Sequence, residues 1–213
     1  MNLENGPSDV YLGGLFVVSA PSGAGKTSLV KALAGKKADI MLSVSHTTRL
    51  PRATEIEGID YHFIDRDKFL SMKAAGEFLE HAEVFGNYYG TSSTWVDEQL
   101  ALGKSVILEI DVQGAQQIRN MRECTSIFVL PASLSTLENR LRGRGQDSEE
   151  VISARLAEAV SEMSHYQEFD FLVINDIFEI ALADLTNIVN SVNLRTVVQR
   201  ERHACLLGAL LNK

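Results

Sequence analysis

The sequence predicts an α/β fold with a parallel core sheet, and two features carry this prediction. Short apolar segments at 15–20, 105–110 and 126–130 alternate with helical patterns along most of the chain. Near-continuous apolar strands separated by helices are typical of parallel sheets that are covered on both faces. The stretch from 45 to 96 breaks this rhythm with short alternating segments around one short helix, which predicts an inserted α+β subdomain.

The elements of the first half follow from local sequence. The apolar strand at 15–20 runs into a glycine-rich turn, and a helix is expected over 26–34. After the insertion, the apolar strand at 105–110 is expected to lead into a helix that ends at Arg122.

A proline and two apolar stripes indicate the strands and helices of the second half. Pro131 ends the strand at 126–130, and Ser135 is expected to cap the next helix. A helix is predicted over 148–165, with one apolar side formed by Val151, Ile152, Leu156 and Val160. A short strand at 171–174 precedes a last helix with a core-packing stripe, formed by Phe178, Ala181, Leu182, Leu185, Ile188, Val189 and Val192.

The composition limits the classes of function. A chain of 213 residues that is 45% hydrophobic suits one compact domain or a core domain with an insertion. A net charge of −8 argues against nucleic acid or an anionic membrane as the main partner. Cys124 and Cys205 lack metal-ligand spacing and are expected to be free thiols. With no signal-peptide pattern and no apolar run near 18 residues, we expect a cytoplasmic protein.

The turn after the first strand has the pattern of a phosphate-binding loop. It reads Ala-Pro-Ser-Gly-Ala-Gly-Lys-Thr-Ser over 20–28, with alanine in place of the first glycine of the usual motif. Its glycines can adopt positive φ and turn backbone N–H groups towards an anion. Lys26 can reach the β- and γ-phosphates of a nucleoside triphosphate, and the Thr27 hydroxyl can bind Mg²⁺. The predicted ATP-binding residues of this loop are Ser22, Gly23, Ala24, Gly25, Lys26, Thr27 and Ser28.

A second anion site is indicated in the insertion. Arg49 and Arg52 lie three residues apart, and guanidinium forks fit phosphate oxygens bidentately. Two solvated surface arginines are the alternative. Tyr61 and Tyr89, in the same insertion, offer hydroxyl donors for the same anion, whereas Tyr88 is expected to pack in the core.

Five motifs in unbroken order, from about Leu15 to Val192, closely resemble bacterial guanylate kinase. They are Ala-Pro-Ser-Gly-Ala-Gly-Lys-Thr, Ser-Val-Ser-His-Thr-Thr-Arg-Leu-Pro-Arg, Gly-Asn-Tyr-Tyr-Gly-Thr, Ile-Leu-Glu-Ile-Asp-Val-Gln-Gly and Arg-Leu-Arg-Gly-Arg-Gly. The resemblance implies a P-loop NTPase fold and phosphoryl transfer from ATP to GMP, and to dGMP, giving ADP and GDP in purine nucleotide metabolism and GMP recycling. It also implies Mg²⁺ with ATP as the cofactor.

The resemblance implies a division of the chain into regions. A loose leader is expected at 1–14, a guanylate kinase-like domain at 15–195 and a tail at 196–213. Within the domain, the expected regions are the core at 15–44, 97–138 and 161–195, the GMP-binding insertion at 45–96 and a helical lid at 139–160.

The resemblance assigns the acceptor residues. Arg49, Arg52, Tyr61 and Tyr89 would hold the GMP phosphate. Glu80 would accept hydrogen bonds from guanine N1–H and the exocyclic amine, while Ser45 and Thr91 would reach the O6 side. A carboxylate facing this edge favours guanine, because adenine presents an acceptor at N1 and leaves the carboxylate unpaired.

Two carboxylates, Glu109 and Asp111, are expected to alternate on the strand at 105–110 and its end, and therefore to point to one face. The carboxyl end of a core strand is where Mg²⁺ and acceptor contacts are expected. The resemblance supports Asp111 most strongly, as a metal ligand beside Thr27 and in the GMP site with Glu109. The alternative is that both are structural caps.

Lid and adenine contacts come from the resemblance. Arg140 and Arg144 share a helical face if their helix extends that far, and Arg155 lies on the next helix. With Lys26 these three are the expected catalytic residues, closing positive charge over the phosphates. Asn175 falls at the adenine region, with a strand-end turn as the alternative.

Two other functions are disfavoured, the first by Lys26, Thr27 and the three lid arginines, and the second by Glu80 and Thr91. One is a guanylate kinase-like interaction module that binds phosphorylated partners, and the other is a kinase for a different phosphorylated acceptor. The apolar tail at 204–211 predicts a homodimer or higher homo-oligomer, unless the tail folds back on its own core.

Overall fold

The computed structural model describes residues 13–84, 86–143 and 149–211. Its strands are β1 (Leu15–Ser19), β2 (Ile40–Leu42), β3 (His46–Thr47), β4 (His62–Phe63), β5 (Phe78–Val84), β6 (Asn87–Ser92), β7 (Ser105–Glu109), β8 (Thr125–Pro131) and β9 (Phe171–Asn175). Its α-helices are α1 (Lys26–Lys36), α2 (Arg66–Ala74), α3 (Ser93–Ala101), α4 (Val112–Met121), α5 (Leu134–Arg142), α6 (Glu149–Met163), α7 (Phe178–Asn193), α8 (Thr196–Arg202) and α9 (Ala204–Leu210).

The core is a parallel sheet with the strand order β2-β7-β1-β8-β9, which confirms the predicted fold class. Side chains of β1 alternate between two apolar clusters. Phe16 and Val18 pack with α1 and α7 on one face, whereas Leu15 and Val17 pack with α3 and α4 on the other. Because helices cover both faces, every residue of β1 is buried, and this explains the continuous apolar sequence.

A second, mixed sheet occupies the stretch between β2 and α3. Its strand order is β4-β3-β6-β5, in which β5 and β6 form an antiparallel hairpin and β3 pairs with β4 in parallel. Phe69 of α2 supports this sheet by stacking on Phe78, with ring centroids 4.5 Å apart, and on Tyr88, at 5.3 Å. Tyr88 therefore packs, as predicted.

Three local predictions were wrong. The cap of α5 is Ser133, whose Oγ accepts the Thr136 N–H at 3.0 Å, so Ser135 already lies inside the helix. Val151 and Val160 of α6 are exposed, because the helix buries Ile152 and Ala159 instead, and Ala159 packs against α5. Asp111 does not continue β7.

Asp111 is the N-cap of α4, and its Oδ1 accepts the Gly114 N–H at 2.8 Å. Because β7 ends at Glu109, Asp111 lies beyond the strand, and the two carboxylates do not alternate along one strand. Residues 1–12 of the predicted leader, and Arg144, lie outside the described residues. No helix in the described ranges is long and apolar enough to cross a membrane.

Candidate active site

The turn between β1 and α1 is shaped by two glycines in the left-handed region. Gly23 has φ +91° and Gly25 has φ +92°, a conformation that L side chains rarely adopt. A Cβ on Gly25 would lie 2.4 Å from Asn175 Nδ2, and a Cβ on Gly23 would lie 3.0 Å from Leu137 Cδ1. The backbone here is therefore closely enclosed, and both positions require glycine.

The same turn leaves a row of backbone donors available. Ala24 N–H donates to Pro21 O at 3.1 Å and closes the turn. Five other backbone N–H groups of the turn have no acceptor among the described residues. They belong to Gly23, Gly25, Lys26, Thr27 and Ser28. Unpaired amides at the start of a helix form an anion site, which agrees with the predicted phosphate loop.

Two side chains, the buried Asn175 and the half-buried Arg140, fix the far side of the loop. Asn175 Nδ2 donates to Ala24 O at 2.7 Å, and Arg140 Nη1 donates to the same oxygen at 3.2 Å. Because C=O and N–H point in opposite directions across a trans peptide, these bonds turn the Gly25 N–H away from Asn175 and Arg140. Asn175 thus contacts the loop directly, and its Oδ1 is buried with no partner among the described residues.

The ends of β7 and α1 meet beside the loop. Lys26 Nζ donates to Ile110 O at 3.0 Å, and the Thr27 hydroxyl donates a short hydrogen bond to Glu109 Oε1. Glu109 thus contacts Thr27, and its charge also acts on Tyr61 of the insertion. Lys26 and Thr27, predicted for the ATP site, therefore meet Glu109, predicted for the GMP site, at the end of β7.

The oxygen donors at this edge suit Mg²⁺ only in part. Thr27 and Glu109 offer a hydroxyl and a carboxylate, whereas Asp111 has one oxygen committed to capping α4. Within the described residues, no cluster of three or more His, Cys, Asp or Glu side chains could hold a metal ion. A few protein oxygens fit Mg²⁺ that is bound chiefly by phosphates and water.

The two arginines of the insertion meet a shared carboxylate. Arg49 Nη2 donates to both oxygens of Glu55, at 2.7 and 2.9 Å. Arg52 contributes its backbone N–H, 2.8 Å from Glu55 Oε2, and its Nη1, 3.6 Å from Oε1. Burial disfavours the Glu55 charge, but these donors outweigh it and lower the Glu55 pKa, while Glu55 raises the Arg49 pKa.

Aromatic rings complete this cluster. Arg49 lies 5.4 Å from the centroid of the Tyr61 ring, and Tyr61 and Tyr89 pack edge to face with centroids 6.0 Å apart. Burial raises the pKa of Tyr61 to about 12, with the charge of Glu109 adding to the effect. Tyr61 therefore remains a neutral hydroxyl donor. The four predicted phosphate contacts lie in one cluster, which consists of Arg49, Arg52, Tyr61 and Tyr89.

Glu80 is a buried carboxylate that accepts a hydrogen bond from the Thr91 hydroxyl. It is 3% exposed, and Thr91 Oγ1 donates to its Oε1 at 2.6 Å. Ser45 Oγ lies 3.4 Å from Thr91 Oγ1, so the three predicted base-reading residues are adjacent. Burial raises the pKa of Glu80 to about 7, opposed by the Thr91 hydroxyl and supported by the charge of Asp111.

A close contact joins this pocket to the core. A Cβ on Gly114 would lie 2.6 Å from Glu80 Oε2 and 3.3 Å from Asp111 Oδ1. The insertion thus approaches the first turn of α4 at a position where a side chain would collide with Glu80. No local pattern around Gly114 predicts this contact.

Two further contacting residues, Glu55 and Glu162, were not predicted from the sequence. Glu55 could have been found, because it is an acid three residues after Arg52 in an arginine pair. Glu162, which accepts the Ser22 N–H at 3.3 Å, carries no local signal because 140 residues separate the partners. Of the predicted lid residues, Arg140 contacts the loop, Arg155 lies half-buried on α6, and Arg144 is outside the described residues.

The fold and the site define a P-loop nucleotide-binding protein of the α/β class. The family model for guanylate kinase matches residues 13–192. Curated guanylate kinases from Salmonella typhimurium and Escherichia coli are each 54% identical over 202 residues, covering 93% of this chain and 98% of theirs. A crystal structure of guanylate kinase from Anaplasma phagocytophilum, 35% identical, covers 87% of this chain and 88% of that one with a TM-score of 0.74. The chain belongs to the guanylate kinase family.

Proposed function

We propose that the protein transfers the γ-phosphoryl group of ATP to GMP, and to dGMP, giving ADP and GDP. The observation that carries the proposal is the buried Glu80–Thr91 pair, which lies against Gly114 and Asp111 beside the end of β7. Glu80, the proposed base reader, belongs to the second sheet and approaches the first turn of α4, which follows β7 of the core sheet. Membership of the guanylate kinase family supports the same activity.

The acceptor is held from two directions. Ionised Glu80 would accept the two N–H donors of the guanine edge, with Ser45 and Thr91 at the O6 side. Arg49 and Tyr61 would bind the phosphate, together with Arg52 and Tyr89. Because the acceptor phosphate is already anionic, no general base is required, and positioning supplies most of the rate enhancement.

The donor is held by backbone and cationic groups. The free loop amides and Lys26 would surround the β- and γ-phosphates, and Ser28 and Ala24 lie on the same turn. Arg140, Arg144 and Arg155 would place positive charge over the transferred group. Mg²⁺ bound with ATP neutralises phosphate charge, and Thr27 and Asp111 are the residues that would hold it.

An interaction module that binds only phosphorylated partners is disfavoured. Such a module has no need for free loop amides, or for Arg140 and Asn175 holding the Ala24 carbonyl. A kinase for another phosphorylated acceptor has no need for a buried carboxylate at a guanine edge. Intact donor and base-reading sites together favour the nucleotide kinase.

A coupled assay of ADP release tests the function directly. The acceptors are GMP, dGMP, AMP, CMP and UMP at equal concentrations, with ATP and Mg²⁺ fixed. GMP should exceed AMP in kcat/KM by roughly 10⁴-fold, because a site built around hydrogen bonds rejects an analogue that leaves them unmade. Equal rates with AMP would remove Glu80 as the base reader, and no turnover with any nucleotide would favour the binding module.

A second copy of the chain is the partner that we propose for the tail. No residue of α9 is buried, and Leu206 and Leu210 are 55% and 67% exposed. This exposure argues against the tail folding back on its own core. Deleting residues 202–213 should lower the mass measured by light scattering while GMP turnover is kept, and a full-length chain that stays monomeric at high concentration would contradict the proposal.

The cytoplasm is the compartment that we propose. Cys124 and Cys205 are both unpaired, and burial raises the pKa of Cys124 to about 11, which keeps it an unreactive thiol. Free thiols are typical of a reducing compartment.

A further inference from the structure

One carboxylate outside the predicted site contacts the phosphate loop. Glu162 lies near the end of α6, and its Oε2 accepts the Ser22 N–H at 3.3 Å. The residue is half-buried, and burial raises its pKa, opposed by the Ser22 N–H and by the charge of Lys26. Burying a carboxylate costs free energy unless it is paired, so the contact with the Ser22 N–H is expected to offset this cost.

Residues of two helices, α5 and α6, contact the phosphate loop. Leu137 and Leu141 of α5 lie over Gly23, and Arg140 of the same helix donates to Ala24 O. α5 packs on α6 through Leu137, Leu141 and Ala159. Glu162 gives α6 its own bond to the loop, so residues 22, 23 and 24 are each contacted by one of the two helices.

The bond fixes a particular peptide plane. Ser22 N–H belongs to the Pro21–Ser22 peptide, whose carbonyl points the opposite way and accepts Ala24 N–H at 3.1 Å. When Glu162 holds the N–H, the Pro21 carbonyl is directed into the turn that sets the orientation of Gly23 and Ala24. On the other side, Arg140 and Asn175 hold Ala24 O.

We propose that Glu162 is a positioning residue for the ATP site: its carboxylate satisfies the loop amide that faces α6 and so orients the remaining amides for the triphosphate. Glu162 takes Ser22 N–H and leaves those of Gly23, Gly25 and Lys26 without an acceptor among the described residues. The role needs a hydrogen-bond acceptor at this place, and it does not need the negative charge. This inference rests on the proposed function only in naming ATP as the donor.

The test compares three substitutions on α6. Glu162→Ala removes the acceptor, Glu162→Gln keeps an acceptor oxygen without charge, and Glu158→Ala removes a carboxylate one turn earlier that makes no hydrogen bond to the loop. KM for ATP and KM for GMP are measured in the coupled assay, and binding of a non-hydrolysable ATP analogue and of GMP is measured by calorimetry. Wild-type turnover with GMP checks the proposed function separately, because the inference concerns only ratios between variants.

We expect Glu162→Ala to raise the KM for ATP and the Kd of the ATP analogue roughly tenfold, because one hydrogen bond that orients the loop is lost. Glu162→Gln should stay within about threefold of wild type, Glu158→Ala should be unchanged, and GMP binding should be unaffected in all three. If Glu162→Ala does not fold, Glu162→Asp shortens the side chain by one methylene and should raise the ATP constants where Gln does not. ATP constants unchanged in Glu162→Ala, a Gln variant as defective as Ala, or an equal loss of GMP binding would each overturn the proposal.

Discussion

The donor and acceptor phosphate sites are built from different parts of the chain. The donor site consists of backbone N–H groups in a turn between β1 and α1, fixed by positive φ at Gly23 and Gly25. The acceptor site consists of side chains on short strands and loops, with Arg49 oriented by Glu55 and packed on Tyr61. The turn of the donor site is specified by local sequence, and distant side chains only hold it in place. The acceptor site is made of the side chains that the fold must bring together.

The largest expected effect separates transfer from acceptor binding. Lys26→Ala should lower kcat by about 10²–10³-fold, because a positive group aimed at the transferred phosphate is lost. GMP affinity, measured by calorimetry, should change little, since the acceptor site is built from another sheet. Lys36→Ala, on the same helix and exposed, is the control. Turnover close to wild type in Lys26→Ala would remove the proposed mechanism.

The acceptor site should respond in the opposite way. Glu80→Gln should raise KM for GMP by an amount equivalent to about 1.5–3 kcal/mol, while KM for ATP is nearly unchanged, because a charged acceptor facing two N–H donors is lost. Thr91→Ser, which keeps the hydroxyl, is the matched control for the pocket. If the ATP constant moves as far as the GMP constant, Glu80 does not read the base.

Glu80→Gln should also stabilise the ligand-free protein at high pH. Burial raises the pKa of Glu80 from 4.5 to about 7, so its contribution to stability is complete below about pH 4.5 and is lost as the pH rises through 7. Above that pH the buried charge costs up to about 3 kcal/mol, which Glu80→Gln avoids. Urea unfolding at pH 5 and pH 8 should show the variant gaining on wild type only at pH 8. An equal difference at both pH values would show that Glu80 does not titrate in this range.

The donor site should be broken by a single methyl group. Gly25→Ala forces a residue with φ +92° to carry a Cβ that would lie 2.4 Å from Asn175 Nδ2, and we expect a loss of about 1–3 kcal/mol in stability with a raised KM for ATP. Gly35→Ala is the control on the same helix, because its Cβ would meet nothing within 4 Å, and it should stabilise by up to about 1 kcal/mol. Equal melting temperatures for the two variants would contradict a strained loop at Gly25.

The sequence predicted the parts of the molecule whose cause is local. The phosphate loop and the buried strand β1 follow from glycine spacing and from a continuous apolar run. Glu162 could not be predicted, because its partner Ser22 is 140 residues away. The exposed Val151 and Val160 show the same limit: several rotations of α6 bury an apolar stripe, and only packing against α5 selects one.

The smallest effect concerns the helix that lies over the loop. Ser133 Oγ accepts Thr136 N–H at 3.0 Å and caps α5, so Ser133→Ala should cost about 1 kcal/mol of stability. Ser135→Ala removes a hydroxyl that contacts Ser133 Oγ without capping the helix, and it should cost measurably less. Because Leu137 and Leu141 of this helix cover Gly23, KM for ATP reports whether a frayed first turn reaches the loop. The donor site should tolerate this change, with KM within about twofold of wild type, because Arg140, Asn175 and Glu162 still contact the loop. A larger rise would mean that the first turn of α5 also positions the loop.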